Sequence, residues 1–267
     1  MKRSGTDKII LGASTLAFFH NQDYTWKMVA EATQRIISLN LGVEIWTCPQ
    51  RVGRILSNTD YAALRVAGTD APFISMHTQL NRWDRGALSQ EIDQCTALGA
   101  MTLVLHNVTL DCHHPASQPD YPEIMRLAQL ARAHGITLAI ENGPDQLWFL
   151  DQILDRIGDD PKKTNIGVCI DIGHAYMSKD AGRQPIRAYL ERYKEQLIHL
   201  HLHDNDGQGD LHRIPGEGLI KWPEVLETIN KIDYHGPAVI ELHSTGDPID
   251  DIRQATELFD HLNYRTT

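Results

Sequence analysis

The chain has 267 residues, of which 42% are hydrophobic and 22% charged, and Lys+Arg 25 against Asp+Glu 35 gives a formal net charge of −10. That length exceeds a disulfide-stapled miniprotein and allows one sizeable core, and the composition excludes wholesale disorder. The acidic balance leaves no global electrostatic footprint for nucleic acid or an anionic membrane.

Cys48, Cys95, Cys112 and Cys169 form no CxxC pair, which fits a reducing compartment and a cytoplasmic location. The amino-terminal MKRSGTDKIILGAST has too short an apolar run for a signal peptide or a spanning helix.

In chain order, the first apolar run of strand length is Ile9–Ser14. A helical stripe follows, made of Trp26, Val29, Ala30, Ile36, Ile37 and Leu39. Gly42–Trp46, Phe73–His77 and Thr102–His106 are the next three strands. Ile124, Leu127, Ala128, Leu130 and Ala131 form a second stripe, opened by Tyr121-Pro122. The fifth strand is Thr137–Glu141, and Leu147, Leu150, Ile153, Leu154 and Ile157 form a third stripe. Ile166–Asp171 and Leu197–His203 are strands six and seven. The stripe of Trp222, Val225, Leu226 and Ile229 has Pro223 in its first turn and precedes the last strand, Ala238–His243. Gly42, Gly99, Gly135 and Gly158 mark helix ends. Eight βα units at about 33 residues each predict a single α/β domain over residues 1–267, a (β/α)8 TIM barrel. A doubly wound open sheet would gather ligands at one switch point and leave most polar strand ends unexplained.

Those strand ends carry the chemistry. His77, His106, Glu141, Asp171, His201 and Glu241 are spaced by 29, 35, 30, 30 and 40 residues, following the βα repeat. Side chains alternate along a strand. The parity therefore sends Ile198, Leu200 and Leu202 toward the helices and His199, His201 and His203 into the barrel, with Glu141, Asp171 and Glu241 at its top. Converging carboxylates are costly to bury and raise one another's pKa. A divalent cation relieves both problems, and this mixture of carboxylate and imidazole suits Zn, Mn, Co or Mg. Glu141, Asp171, His201 and Glu241 are the expected ligands of one ion. His174, three residues past Asp171, and the pair Asp210 and His212 in a polar loop are candidates for a further metal site or a substrate clamp. Trp46 and Trp83 are candidate walls for a sugar.

Ile140-Glu141-Asn142, Gly167 to His174, His201 to Gly218 and Ile240-Glu241 together resemble the xylose isomerase-like TIM-barrel superfamily along essentially the whole chain. That superfamily holds sugar and sugar-phosphate isomerases and epimerases and the endonuclease IV-type abasic-site nucleases. The resemblance implies, for an epimerase, one metal on Glu141, Asp171, His201 and Glu241, with the two glutamates exchanging a proton beside a carbonyl through an enediolate and His174 contacting substrate oxygen. For a nuclease it implies three zinc ions on His77, His106, Glu141, Asp171, His174, His201, Asp210, His212 and Glu241. Arg51, Arg54, Arg82, Trp83 and Arg85 lie in short loops without a basic aromatic stripe, and Asn107-Val-Thr follows His106 where many members have His-Pro-Gly. The expectation is therefore a metal-dependent sugar (or sugar-phosphate) isomerase or epimerase holding one divalent ion, and up to three. Its partner would be a small carbohydrate, with no nucleic acid and no membrane, and assembly into a homo-oligomer is compatible with the sequence. The alternatives are an abasic-site phosphodiesterase, a keto-polyol dehydratase and a catalytically silent metal- or sugar-binding barrel.

Overall fold

A computed structural model describes residues 9–20, 23–46, 57–114, 116–144, 147–178 and 182–262. Cys48, Arg51 and Arg54 lie outside the described residues.

Eight parallel strands close into a barrel in sequence order. They are β1 (Ile10–Ser14), β2 (Gly42–Trp46), β3 (Ile74–His77), β4 (Thr102–His106), β5 (Thr137–Glu141), β6 (Ile166–Asp171), β7 (Leu197–Leu202) and β8 (Pro237–Ile240). Among the described residues eight helices of eight residues or more cover them: α1 (Trp26–Ile37), α2 (Asn58–Gly68), α3 (Arg85–Leu98), α4 (Tyr121–Ala133), α5 (Trp148–Ile157), α6 (Pro185–Arg192), α7 (Trp222–Lys231) and α8 (Pro248–His261). Short side chains start many of them by accepting a first-turn amide: Thr25 from Met28, Ser57 from Asp60, Asp84 from Ala87, Asp120 from Glu123 and Asp247 from Ile249. The predicted (β/α)8 class is the observed one.

Alternation decides which residues face the helices. Leu103, Leu105, Leu138, Ile140, Val168, Ile170, Leu200 and Leu202 join the large apolar core. Val104, Ala139 and Cys169 form a separate small cluster, joined by Ile198. This corrects the expectation for Ile198. The β6–β7 register steps from Val168↔Leu197 to Cys169↔His199. Ile198 is thus the extra residue of a bulge, and a bulged residue need not follow the alternation around it. Gly167 makes the room, since a Cβ there would overlap the Ile198 side chain.

Gly42 does not end a helix. α1 is capped at Ser38, and Gly42 opens β2 with the Phe73 ring against it. Gly99, by contrast, caps α3 in the left-handed region at φ 78. Phe73 lies just before β3, and His203 and Glu241 just past β7 and β8.

Candidate metal centre and active site

The carboxyl ends of β3 to β8 converge at one mouth of the barrel. Glu141 is the hub. Its Oε1 is 2.7 Å from His201 Nδ1, and its Oε2 is 3.3 Å from His77 Nε2 and 3.4 Å from His106 Nε2. His201 Nδ1 also lies 3.3 Å from Glu241 Oε2 and 3.8 Å from Asp171 Oδ2. Glu141 and Glu241 therefore flank one imidazole nitrogen. Glu141, Asp171, His201 and Glu241 are all at most 2% exposed.

Local structure holds these groups in place. Asn142 pins the ends of β5 and β6 together: its Oδ1 accepts from the Asp171 amide at 2.7 Å and its Nδ2 donates to the Asp171 carbonyl at 3.2 Å. Asp171 Oδ1 accepts the His174 amide at 2.7 Å and so caps the short helix Ile172–Met177. That fixes one carboxylate oxygen and leaves Asp171 Oδ2, buried, without a hydrogen-bond partner. Glu241 Oε1 is likewise buried and unpartnered. The orphaned Asp171 Oδ2, 3.8 Å from His201 Nδ1, and the orphaned Oε1 of Glu241, whose other oxygen lies 3.3 Å from the same nitrogen, fit a divalent cation, because otherwise each would carry a full desolvation cost.

A second group sits beside the first. His174, His203, Asp210 and His212 bring one ligand atom each within 4.8 Å of one another. Asp210 is 3.2 Å from both His174 Nε2 and His212 Nε2, and 3.7 Å from His203 Nε2. The Nδ1 of each imidazole faces a backbone carbonyl: His174 that of Asn142 at 2.9 Å, His203 that of Asp204 at 3.5 Å, His212 that of Glu241 at 3.1 Å. An imidazole donating from Nδ1 turns a lone pair outward on Nε2, the usual arrangement around a metal. Asp204 builds the loop that delivers Asp210 and His212. Its carboxylate accepts from Asn205, Gly216 and Ile220 amides and from Trp222 Nε1 at 2.8 to 3.1 Å, and its backbone pairs with Arg213. Gly218 lies so close that a Cβ would strike the Asp204 carboxylate.

The electrostatics match this crowding. Burial pushes the Glu141 carboxyl up, but the charge on His201 and hydrogen bonds from His201 and His77 outweigh it and hold it well below the usual range. Burial wins at Glu241, which is raised. Burial lowers His174 and His212, yet the surrounding carboxylates overcome it and lift both, His212 to about 9. His106, half-buried beside His77, falls to about 4 because desolvation and the neighbouring imidazole both disfavour its charged form.

All nine strand-end and loop candidates therefore meet in one region. Trp46 joins them, with its ring 4.5 Å from that of His77. Trp83 is partly buried and packs against the hydrophobic core. Sequence reasoning passed over three groups. Glu44 is fully buried in the barrel interior against His199 and His201. Its signal was a charge inside the apolar run Gly42-Val-Glu-Ile-Trp46, on the inward parity. Strand parity turns His203 inward, but no spacing marks it as a site residue or Asp204 as a loop anchor.

A closed eightfold barrel with carboxylate and imidazole side chains at the carboxyl ends of its strands defines an α/β-barrel protein whose polar cluster lies at the barrel mouth. The family model for the xylose isomerase-like TIM barrel matches residues 12–262, and the chain belongs to that family. Uncharacterized protein MJ1311 of Methanocaldococcus jannaschii is 24% identical over 241 residues, 86% of this chain and 78% of the relative. Fructoselysine 3-epimerase of Shigella flexneri is 36% identical over 78 residues, 28% of each chain. A solved D-tagatose 3-epimerase-like protein superposes with a TM-score of 0.73 at 22% identity over 96% of this chain and 98% of its own, a likeness of fold. Among the described residues no helix is long and apolar enough to cross a membrane.

Proposed function

We propose that this chain is a metal-dependent isomerase or epimerase of a sugar or sugar phosphate, acting by proton transfer next to a carbonyl. The observation that carries the reading is the pair Glu141 and Glu241, both within 3.3 Å of one His201 nitrogen, with orphaned oxygens on Asp171 and Glu241 beside them. The relatives and the fold neighbour named as epimerases support the same class. Glu141, Asp171, His201 and Glu241 would hold the ion. A divalent cation there supplies a Lewis acid that polarises the carbonyl and offsets the negative charge developing beside it.

The side chains do the rest. Glu141, held ionised, takes the proton from the carbon next to the carbonyl. Glu241, on the other side of the His201 nitrogen, serves as the second proton-transfer group and returns a proton to the opposite face or to the neighbouring carbon. Exchange with solvent returns both to their starting states. His174 orients substrate oxygens, and Trp46 walls one side of the mouth. The test is solvent deuterium wash-in, followed by NMR in D₂O across a panel of ketoses and ketose phosphates with the protein loaded in turn with Mn, Co, Zn and Mg. A carbon-bound deuterium in at least one ketose is the expected result. Loss of water from a keto-polyol without wash-in into any ketose would replace the reading with dehydration.

One observation favours a second reading, a phosphodiesterase acting on abasic DNA. The nine residues that the nuclease resemblance implies gather into adjoining groups, His77–His106–Glu141, the Glu141–Asp171–His201–Glu241 centre and His174–Asp210–His212. Short loops and the −10 balance oppose it. Incubating zinc-loaded protein with an abasic duplex decides between them, and no incision is the expected outcome.

A further inference from the structure

Among the described residues four large apolar side chains are exposed: Met28, Val66, Met101 and Leu219. Two of them share one place. Val66, 72% exposed in the last turn of α2, and Met101, 60% exposed just before β4, stand on either side of a groove between the carboxyl ends of α2 and α3. The groove measures about 540 Å³, and buried Phe73 and Leu98 form its floor with half-buried Ile74. Two glycines shape it. Gly68 lets the end of α2 lie against Ile74, since a Cβ there would come within 2.7 Å of that side chain. Gly99 turns the chain at φ 78, with nothing within 4 Å of where its Cβ would stand.

This is the amino-terminal end of the barrel, opposite the mouth that gathers the carboxylates and imidazoles. That end of such a barrel serves stability rather than chemistry, and protruding apolar side chains around an apolar hollow mark a contact surface. A surface that bears both the knobs and the hollow able to receive them is complementary to itself about a two-fold axis. The charges fit the same operation. Arg65 lines the groove and Asp70 lies at its rim between Thr69 and Ala71. Both are exposed, and among the described residues neither has an ion-pair partner. Across a two-fold axis each Arg65 faces the other copy's Asp70. The net charge of −10 on each chain opposes association at long range, but salt at about 0.15 M screens that repulsion beyond about 8 Å and spares a contact pair. Eleven residues line the groove, against roughly 20–30 per side in a standard interface, so the association is weak and concentration-dependent.

We propose that this groove is the interface of a two-fold homodimer, in which Val66 and Met101 of each chain fill the hollow of the other and Arg65 pairs with Asp70 across the axis. The inference is independent of the metal centre, whose mouth stays open at the far end of each barrel. Sedimentation velocity of the full chain from about 1 to 500 µM, in about 0.15 M salt, should show a reversible monomer–dimer equilibrium with no larger species. Val66→Glu or Met101→Glu sets a charge against the apolar floor of the other copy and should weaken the dimer by about 100-fold or more. Arg65→Glu and Asp70→Arg should each weaken it by about tenfold, and the double variant should recover the parent affinity. All four positions are exposed, so urea unfolding of the variants should match the parent. A parent chain that stays monomeric throughout the range overturns the proposal, as does association that grows beyond dimers. A dimer that neither Val66→Glu nor Met101→Glu weakens is held by another face, and a double charge variant no tighter than the singles rules out the two-fold pairing.

Discussion

The two glutamates that flank His201 carry the sharpest expectation at the scale of single residues. Glu→Gln at 141 or 241 keeps volume and one oxygen but removes the proton acceptor. Deuterium wash-in into a responsive ketose should fall by about 10²–10⁴-fold in each variant, while zinc still shifts the His201 imidazole signals of ¹⁵N-histidine-labelled protein in NMR. Wash-in at the parent rate in both variants would sink the two-glutamate scheme. The second cluster makes a pH prediction. His212 is lifted to about 9, so at neutral pH its Nε2 holds a proton that a metal must displace. Metal affinity at His174, His203, Asp210 and His212 should therefore rise with pH, by up to about tenfold per unit from His212 alone, flattening above 9. In the metal-free protein the sign is the reverse. A raised histidine stabilises fully below its ordinary value near 6.5, and that contribution is lost as pH climbs through about 9. Zinc titrations and urea melts at pH 6.5, 7.5 and 8.5 check both slopes.

At the scale of elements, the β6–β7 bulge and the Asp204 loop do the positioning. Gly167→Val would drive a side chain into Ile198 and should cost about 1–3 kcal/mol of stability by overpacking, read from urea unfolding. Because the bulge also sets the phase of His199 and His201, weakened zinc binding at His201 should accompany the loss. Asp204→Ala strips four donors of their acceptor. Each buried unsatisfied donor costs about 1–3 kcal/mol, so the loop carrying Asp210 and His212 should loosen. The expected result is loss of metal at the second cluster with His201 still responsive. Equal loss at both centres would mean that Asp204 supports the whole barrel mouth.

For the whole molecule, the decisive quantity is metal stoichiometry. The main reading expects one tightly held divalent ion per chain, on Glu141, Asp171, His201 and Glu241. The second cluster allows one more ion, and three zinc ions with abasic-site incision would move the assignment to the phosphodiesterase. Elemental analysis of purified protein, followed by the incision assay with and without Asp210→Asn, separates these outcomes.

The sequence determined the strand-and-helix alternation, the closed barrel and the ring of carboxylates and imidazoles. Each of these follows from a local period: two along a strand, about 3.6 along a helix, and roughly 30 residues between equivalent strand ends. His77, Glu141 and Asp171 were legible because each ends an apolar run, Glu241 because it follows one, and His201 because it alternates with Leu200 and Leu202. Tertiary structure decided what those periods do not encode. Ile198 turned inward because Gly167 on the neighbouring strand left it space. Gly42 served β2 because Phe73 needed room, and the polar loop after β7 became ordered because the Asp204 carboxylate gathered donors as far along the chain as Trp222. Glu44 stands out as a charge within an apolar run, but its place against His201 became visible only when closure of the barrel brought β2 across from β7, since no spacing along the chain relates Glu44 to His201, 157 residues later.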